Sequence, residues 1–115
     1  IVLLKGVPTV IAQHGQSTRT VAAGNPGLAT GGSGDVLSGI LGTMMAQLDH
    51  PLDAAAVAAQ ALGDAADHAA RRPTARAMRP MDVIAALPDV WRWWGRDAST
   101  PHAPVLLELP APRRE

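Results

Sequence analysis

The sequence predicts an α/β protein built as edge strands followed by three helices. Three observations carry this. Residues 1–22 hold three short runs of branched apolar residues and threonine, separated by Gly, Pro and polar turns. A glycine-rich loop then gives way to apolar residues at helical spacing: Val36, Leu37, Ile40, Leu41, Met44, Met45 and Leu48. Two further helical stretches follow, the first of them almost all alanine.

Taken in order, Ile1-Val2-Leu3-Leu4 has the continuous apolar pattern of a strand buried on both faces. Lys5-Gly6-Val7-Pro8 breaks it, and Thr9-Val10-Ile11-Ala12 forms the second strand. Gln13-His14-Gly15-Gln16-Ser17 is a polar turn, and Arg19-Thr20-Val21-Ala22 alternates as a third strand does. Short connections make these a meander at the edge of a larger sheet. Gly24-Asn25-Pro26-Gly27 is a turn cluster. In the helix that begins at Val36, Gly39 and Gly42 each cost about 1 kcal/mol relative to Ala, which is expected where another backbone packs closely. Asp49-His50-Pro51 ends that helix and opens a small-faced one from Leu52 to Ala70, which Arg71-Arg72-Pro73 stops. Met81 to Leu87 is a short third helix closed by Pro88, and a continuation from Asp89 to Trp94 carries all three tryptophans. Residues 95–115, rich in Pro and charge, read as a disordered tail.

Composition narrows the function classes. Ten Lys+Arg balance ten Asp+Glu in 115 residues, so the charge footprint of a nucleic-acid or acidic-membrane binder is missing. There is no cysteine, which excludes disulfide frameworks, thiolate metal sites and cysteine nucleophiles. Phe and Tyr are absent, so the core is aliphatic and alanine-rich. No stretch approaches the roughly 20 apolar residues of a membrane span, and the start lacks the pattern of a signal peptide. The default compartment is the cytoplasm. Opening on Ile1 within an apolar run, the chain reads as the end of something longer.

The chemistry is concentrated in Ala29-Thr30-Gly31-Gly32-Ser33-Gly34-Asp35, directly before the first helix. Glycine lets backbone N–H groups approach an anion, and the helix start adds unsatisfied donors and partial positive charge. This is not a Walker A loop, since no Gly-Lys-Ser/Thr follows, and the dinucleotide fingerprint fails because its third glycine falls on Leu37. Asp35 stands where a helix cap or a general base could stand, and spacing alone leaves both open. As a base it would activate a substrate hydroxyl while the N–H groups hold a transferring phosphoryl.

The run Asn25-Pro26-Gly27-Leu28-Ala29-Thr30-Gly31-Gly32-Ser33-Gly34-Asp35-Val36-Leu37-Ser38-Gly39 closely resembles the signature of the ADP- or ATP-dependent NAD(P)H-hydrate dehydratases, of the ribokinase-like superfamily. Lys5-Gly6-Val7-Pro8-Thr9 is similar to that family's Lys-Gly-x-x-Thr segment, and Met81 to Pro88 to its closing helix. The resemblance implies a ribokinase-like three-layer sandwich, of which residues 1–94 form the C-terminal portion. It implies nucleotide-driven loss of water from hydrated NADH or NADPH. Asp35 is then the catalytic base and the contact to the hydrated nicotinamide. Lys5, Gly6, Val7, Pro8, Thr9 and Gly34 bind the nucleotide, and the amides of Gly32, Ser33 and Gly34 form the anion hole. ADP or ATP is the co-substrate, with Mg2+ expected alongside it but no metal ligand assigned in this chain. The small-molecule partners are the NADH and NADPH hydrates. A homo-oligomer is expected of the intact enzyme, and fusion to an NAD(P)H-hydrate epimerase domain is left open. Leu62-Gly63-Asp64-Ala65-Ala66-Asp67 departs from the family's His-Gly-x-x-Gly-Asp pattern by lacking the His and second Gly.

Two other readings stand beside this one. Small-molecule kinases for sugars or vitamins share the Gly-x-Gly-Asp loop. A bare piece of the domain would be an inactive binding fragment. His14, His50, His68 and His102 show no metal-ligand spacing. Met44 and Met45 read as core fillers, Trp91, Trp93 and Trp94 as packing or subunit contacts, and Arg71, Arg72, Arg76 and Arg79 as a solvated loop.

Overall fold

The computed structural model describes residues 1–96 and 106–109. Strands β1 (Val2–Leu4), β2 (Thr9–Ala12) and β3 (Thr18–Val21) are followed by helices α1 (Ser33–Met45), α2 (Pro51–Ala69) and α3 (Pro80–Arg96), and then by β4 (Leu106–Leu109). The sheet order is β1-β2-β3-β4, antiparallel throughout, so the expected meander is present. Pairing of Leu3 with Ile11, Ile11 with Arg19, and Thr9 with Val21 puts these side chains on one face. That face meets α2: Ile11 and Val21 are buried against Leu52, Ala55, Ala56 and Ala59. Arg19, on the same face, pairs with Asp53 in the first turn of α2.

Alanine explains the centre of the molecule. Twelve of the nineteen residues of α2 are buried, because methyl side chains let the sheet approach one side and two helices the others. Leu37 and Ile40 of α1, with Val83, Ala86 and Val90 of α3, pack on Ala58, Ala61, Leu62, Ala65 and Ala66 of α2. Gly63 is where α2 comes closest to the segment after β3, since a Cβ there would lie 2.5 Å from the carbonyl carbon and from the Cβ of Ala23. Among the described residues no helix is long and apolar enough to cross a membrane.

Four expectations need correction or extension. First, Ile1 to Leu4 is not buried on both faces: only Leu3 turns toward the core, and Val2 and Leu4 are each 67% exposed. As the outermost strand, β1 has β2 on one side, and no described helix lies over the far face. Second, α1 starts at Ser33 rather than Val36, so the glycine-rich loop supplies the helix's own first turn. Third, Pro88 does not close α3, which runs through it to Arg96. An interior proline costs about 3 kcal/mol. Burial of Val83 and Val90, about 1.5–3 kcal/mol each when complete, offsets that, and the carbonyl Pro88 releases belongs to the exposed Ile84. Fourth, Gly39 and Gly42 do not mark a close backbone approach, for a Cβ on either meets nothing within 4 Å.

The span read as a tail, 95–115, contains β4, whose backbone pairs Thr18 with Leu109 and Val21 with Leu106. Leu106-Leu107-Glu108-Leu109 is a proline-free segment, able to donate along the open edge of β3. Residues 97–105 and 110–115 of that expectation lie outside the described residues.

Candidate active site

The turn and the glycine-rich loop are folded by three short-range devices. Asn25 caps a 3-10 turn, Pro26–Leu28, by accepting from the N–H of Gly27 through its side-chain oxygen at 3.0 Å. Gly27 has no room for a side chain: a Cβ would overlap the carbonyl oxygen of Ala75 and come within 2.8 Å of Met78. Gly32 is the N-cap of α1 at φ 90°, a left-handed conformation that glycine adopts without strain, with Pro80 of α3 packed beside it.

The cap of α1 is therefore Gly32, and Asp35 occupies the first helical turn without a capping role. The Asp35 side chain is exposed, with no hydrogen bond or ion pair among the described residues. Gly34 sits one residue before it with open space around its Cα. The amides of a helix's first turn have no carbonyl a turn back to bond, so Gly34 and Asp35 present N–H groups outward. Ser33 differs from its neighbours. It is 4% exposed, and its hydroxyl donates to the carbonyls of Leu28 at 2.7 Å and Thr30 at 3.0 Å. Its own N–H approaches the Thr30 carbonyl at 3.4 Å. The hydroxyl of Ser33 is thus occupied in shaping the loop.

Lys5 through Thr9 form a second loop, closed by Thr9, whose hydroxyl donates to the Gly6 carbonyl at 3.3 Å and accepts from the Gly6 N–H at 3.4 Å. Lys5 Nζ donates to the Leu28 carbonyl at 3.0 Å. Leu28 is therefore the joint of the site: one carbonyl oxygen receives the lysine of the first loop and the serine that opens α1. Sequence reasoning missed it, because a backbone acceptor leaves no signature in residue type. It missed Asp67 as well, which accepts from Gly24 and Asn25. There a signal existed in the Asp that ends the family's His-Gly-x-x-Gly-Asp pattern.

Two hollows flank this joint. All of Lys5 to Thr9, with Asn25, Pro26, Leu28 and Leu62, line a cavity of about 260 Å³. Asp35 lies on a different one, a mostly apolar groove of about 950 Å³ between the helices, with Gly39, Ile84, Trp91 and Trp94. The two loops are tied together while their side chains open onto separate spaces. At the far end of the groove Trp94 donates its indole N–H to Asp64 at 3.0 Å and stands edge-on to Trp91, centroids 5.2 Å apart. Magnesium finds no prepared cage: among the described residues no three His, Asp or Glu stand together to hold a metal ion.

An α/β fold thus brings together a helix whose glycine-rich first turn carries a carboxylate unpaired among the described residues and, through the Leu28 carbonyl, a lysine loop. More narrowly, the chain belongs to the NAD(P)H-hydrate dehydratase family, whose model matches residues 1–89. It is 44% identical over 87 residues to a bifunctional NAD(P)H-hydrate repair enzyme of Escherichia coli K12, covering 76% of this chain and 17% of the relative. It is 46% identical over 92 residues to the enzyme of that name in Moorella thermoacetica, covering 80% and 17%. An ADP-dependent (S)-NAD(P)H-hydrate dehydratase of Neisseria meningitidis is 46% identical over 66 residues, covering 57% and 22%. The chain spans about a sixth of the length of the bifunctional relatives it matches. No solved structure matches it significantly.

Proposed function

We propose that the protein carrying this chain dehydrates hydrated NADH or NADPH back to the reduced nucleotide at the expense of ADP or ATP. The observation that carries the reading is the unpaired Asp35 carboxylate on the first turn of α1, beside outward amides and joined through Leu28 to Lys5. In this reading Lys5 to Thr9 and Gly34 bind the nucleotide, and the amides of Gly32, Ser33 and Gly34 hold the transferring phosphoryl. Asp35 takes the proton of the substrate hydroxyl as its oxygen bonds to the terminal phosphorus and the bond to the nucleotide breaks. The phosphorylated hydroxyl then leaves as phosphate, a better leaving group than hydroxide, and the adjacent ring carbon gives up a proton to water, so that its C–H electron pair restores the double bond. Ser33 has its hydroxyl engaged by Leu28 and Thr30 and its N–H by the Thr30 carbonyl, so it contributes only by turning that amide from Thr30 to the phosphoryl. Magnesium arrives with the nucleotide, held by phosphate oxygens and water.

The wider architecture belongs to the same proposal: residues 1–94 as the C-terminal part of a ribokinase-like three-layer sandwich, in a cytoplasmic homo-oligomer. An epimerase domain elsewhere in the protein suits relatives named bifunctional. Because the substrate walls of a domain several times longer are outside this chain, the 115 residues alone are expected to be inactive. The test is to incubate the protein that carries this chain with hydrated NADH and ADP or ATP. Recovery of absorbance at 340 nm supports the proposal. Phosphate transfer to a sugar or vitamin alcohol, with no recovery, replaces it by the small-molecule kinase reading.

A further inference from the structure

The turn from Gly24 to Leu28 is held from outside by a single side chain of α2. One oxygen of Asp67 accepts from the Gly24 N–H at 3.3 Å, and the other from the Asn25 side-chain NH2 at 3.0 Å. Asn25 in turn accepts from the Gly27 N–H at 3.0 Å. A carboxylate can only accept, so it admits one orientation of the Asn25 amide, with NH2 toward Asp67 and oxygen toward Gly27. The other end of this turn is the Leu28 carbonyl that receives both Lys5 and Ser33.

We propose that Asp67 is a positioning residue: it fixes the Asn25 amide, and through the Pro26–Leu28 turn sets where the Leu28 carbonyl holds the Lys5 loop and the start of α1. The geometry separates this role from ordinary packing. Asp67 is exposed and belongs to neither buried core cluster, and both of its oxygens go to the turn. Gly63, one turn earlier on α2, instead lies against the backbone and Cβ of Ala23, just before the turn. The consequence for phosphate binding rests on the reading of Lys5 and Gly32 to Gly34 given above.

The test uses the protein that carries this chain, isotope-labelled, with ADP as the probe. Asp67→Ala removes both acceptors. Amide exchange at Gly24 and Gly27 should accelerate about tenfold, the scale of losing a bond to a charged acceptor. The Leu28 carbonyl carbon resonance should move and ADP affinity should fall about tenfold, with the unfolding midpoint nearly unchanged. The reciprocal swap, Asp67→Asn with Asn25→Asp, keeps every donor opposite an acceptor and leaves net charge unaltered. It should restore Gly27 protection and the Leu28 resonance. The proposal is overturned if Asp67→Ala changes only Gly24 and the unfolding midpoint while Gly27 and Leu28 keep their values. It is equally overturned if the swap fails to restore them. Should Asp67→Ala not fold, the swap decides by itself. If the unsubstituted protein that carries this chain binds no ADP, the phosphate-site reading falls separately, and the Gly27 and Leu28 signals still judge Asp67.

Discussion

Glycine to alanine in a helix ordinarily stabilises, by about 0.5–1 kcal/mol, because alanine has less backbone freedom to lose. At Gly63 the sign should reverse. A Cβ placed there lies 2.5 Å from the carbonyl carbon of Ala23, 2.5 Å from its Cβ and 2.6 Å from its carbonyl oxygen. Two of those atoms are backbone, which cannot swing aside, so α2 or the segment before Gly24 must shift. Overpacking of that kind costs about 1–3 kcal/mol, and the helix-propensity gain returns less than 1. Gly63→Ala is therefore expected to destabilise by roughly 1–2 kcal/mol net. Gly39→Ala and Gly42→Ala, on the exposed side of α1 with nothing within 4 Å, should each stabilise by up to about 1 kcal/mol. Urea unfolding of the three variants measures this directly, read as midpoint shifts at constant slope. Gly63→Ala proving as stable as the unsubstituted chain would refute the close approach of α2 to Ala23. Destabilisation by Gly39→Ala would refute the claim that α1 is open there.

Three other outcomes follow from the site. Asp35→Asn in the protein that carries this chain should lower kcat by roughly 10²–10⁴-fold while leaving ADP affinity intact; normal turnover, or an equal loss of binding, removes the base assignment. Ser33→Ala deletes the buried donor to Leu28 and Thr30 and should cost about 1 kcal/mol in thermal or urea unfolding, and an unchanged midpoint would show that the loop closes without it. Trp94→Phe removes the N–H that Asp64 accepts together with the five-membered ring that carries it, so a loss of at least about 1–2 kcal/mol is expected, and none would mean the bond is idle in solution.

Much of the fold was legible because periodicity reports which face of a local element is apolar. Thr9 to Ala12 formed the strand its β-branched residues predict, and the Val36-Leu37-Ile40 spacing identified the buried face of α1, whereas Met45, read as a core filler, and Leu48 of the same pattern are exposed. The endpoints that failed did so for non-local reasons. Pro88 breaks helices in isolation, yet the packing of Val83 and Val90 carries α3 past it. Gly39, Gly42 and Gly63 look alike as helix-interior glycines, and only the neighbouring chain separates the crowded one from the open two.

The sequence by itself determined the residues on offer: an Asp after a run of glycines, a Lys-Gly-Val-Pro-Thr segment upstream of it, and no cysteine among these 115 residues. It also determined the α/β class, since strand and helix periods differ and each is written locally. Tertiary structure decided how those parts are joined. Gly32, not Asp35, caps α1, leaving the carboxylate unpaired among the described residues. The carbonyl of Leu28 ties Lys5 to Ser33, and Asp67 steadies the turn from a helix about forty residues away. Backbone carbonyls are the same in every residue, so which one gathers distant donors is set by how the chain packs and is written in no single side chain.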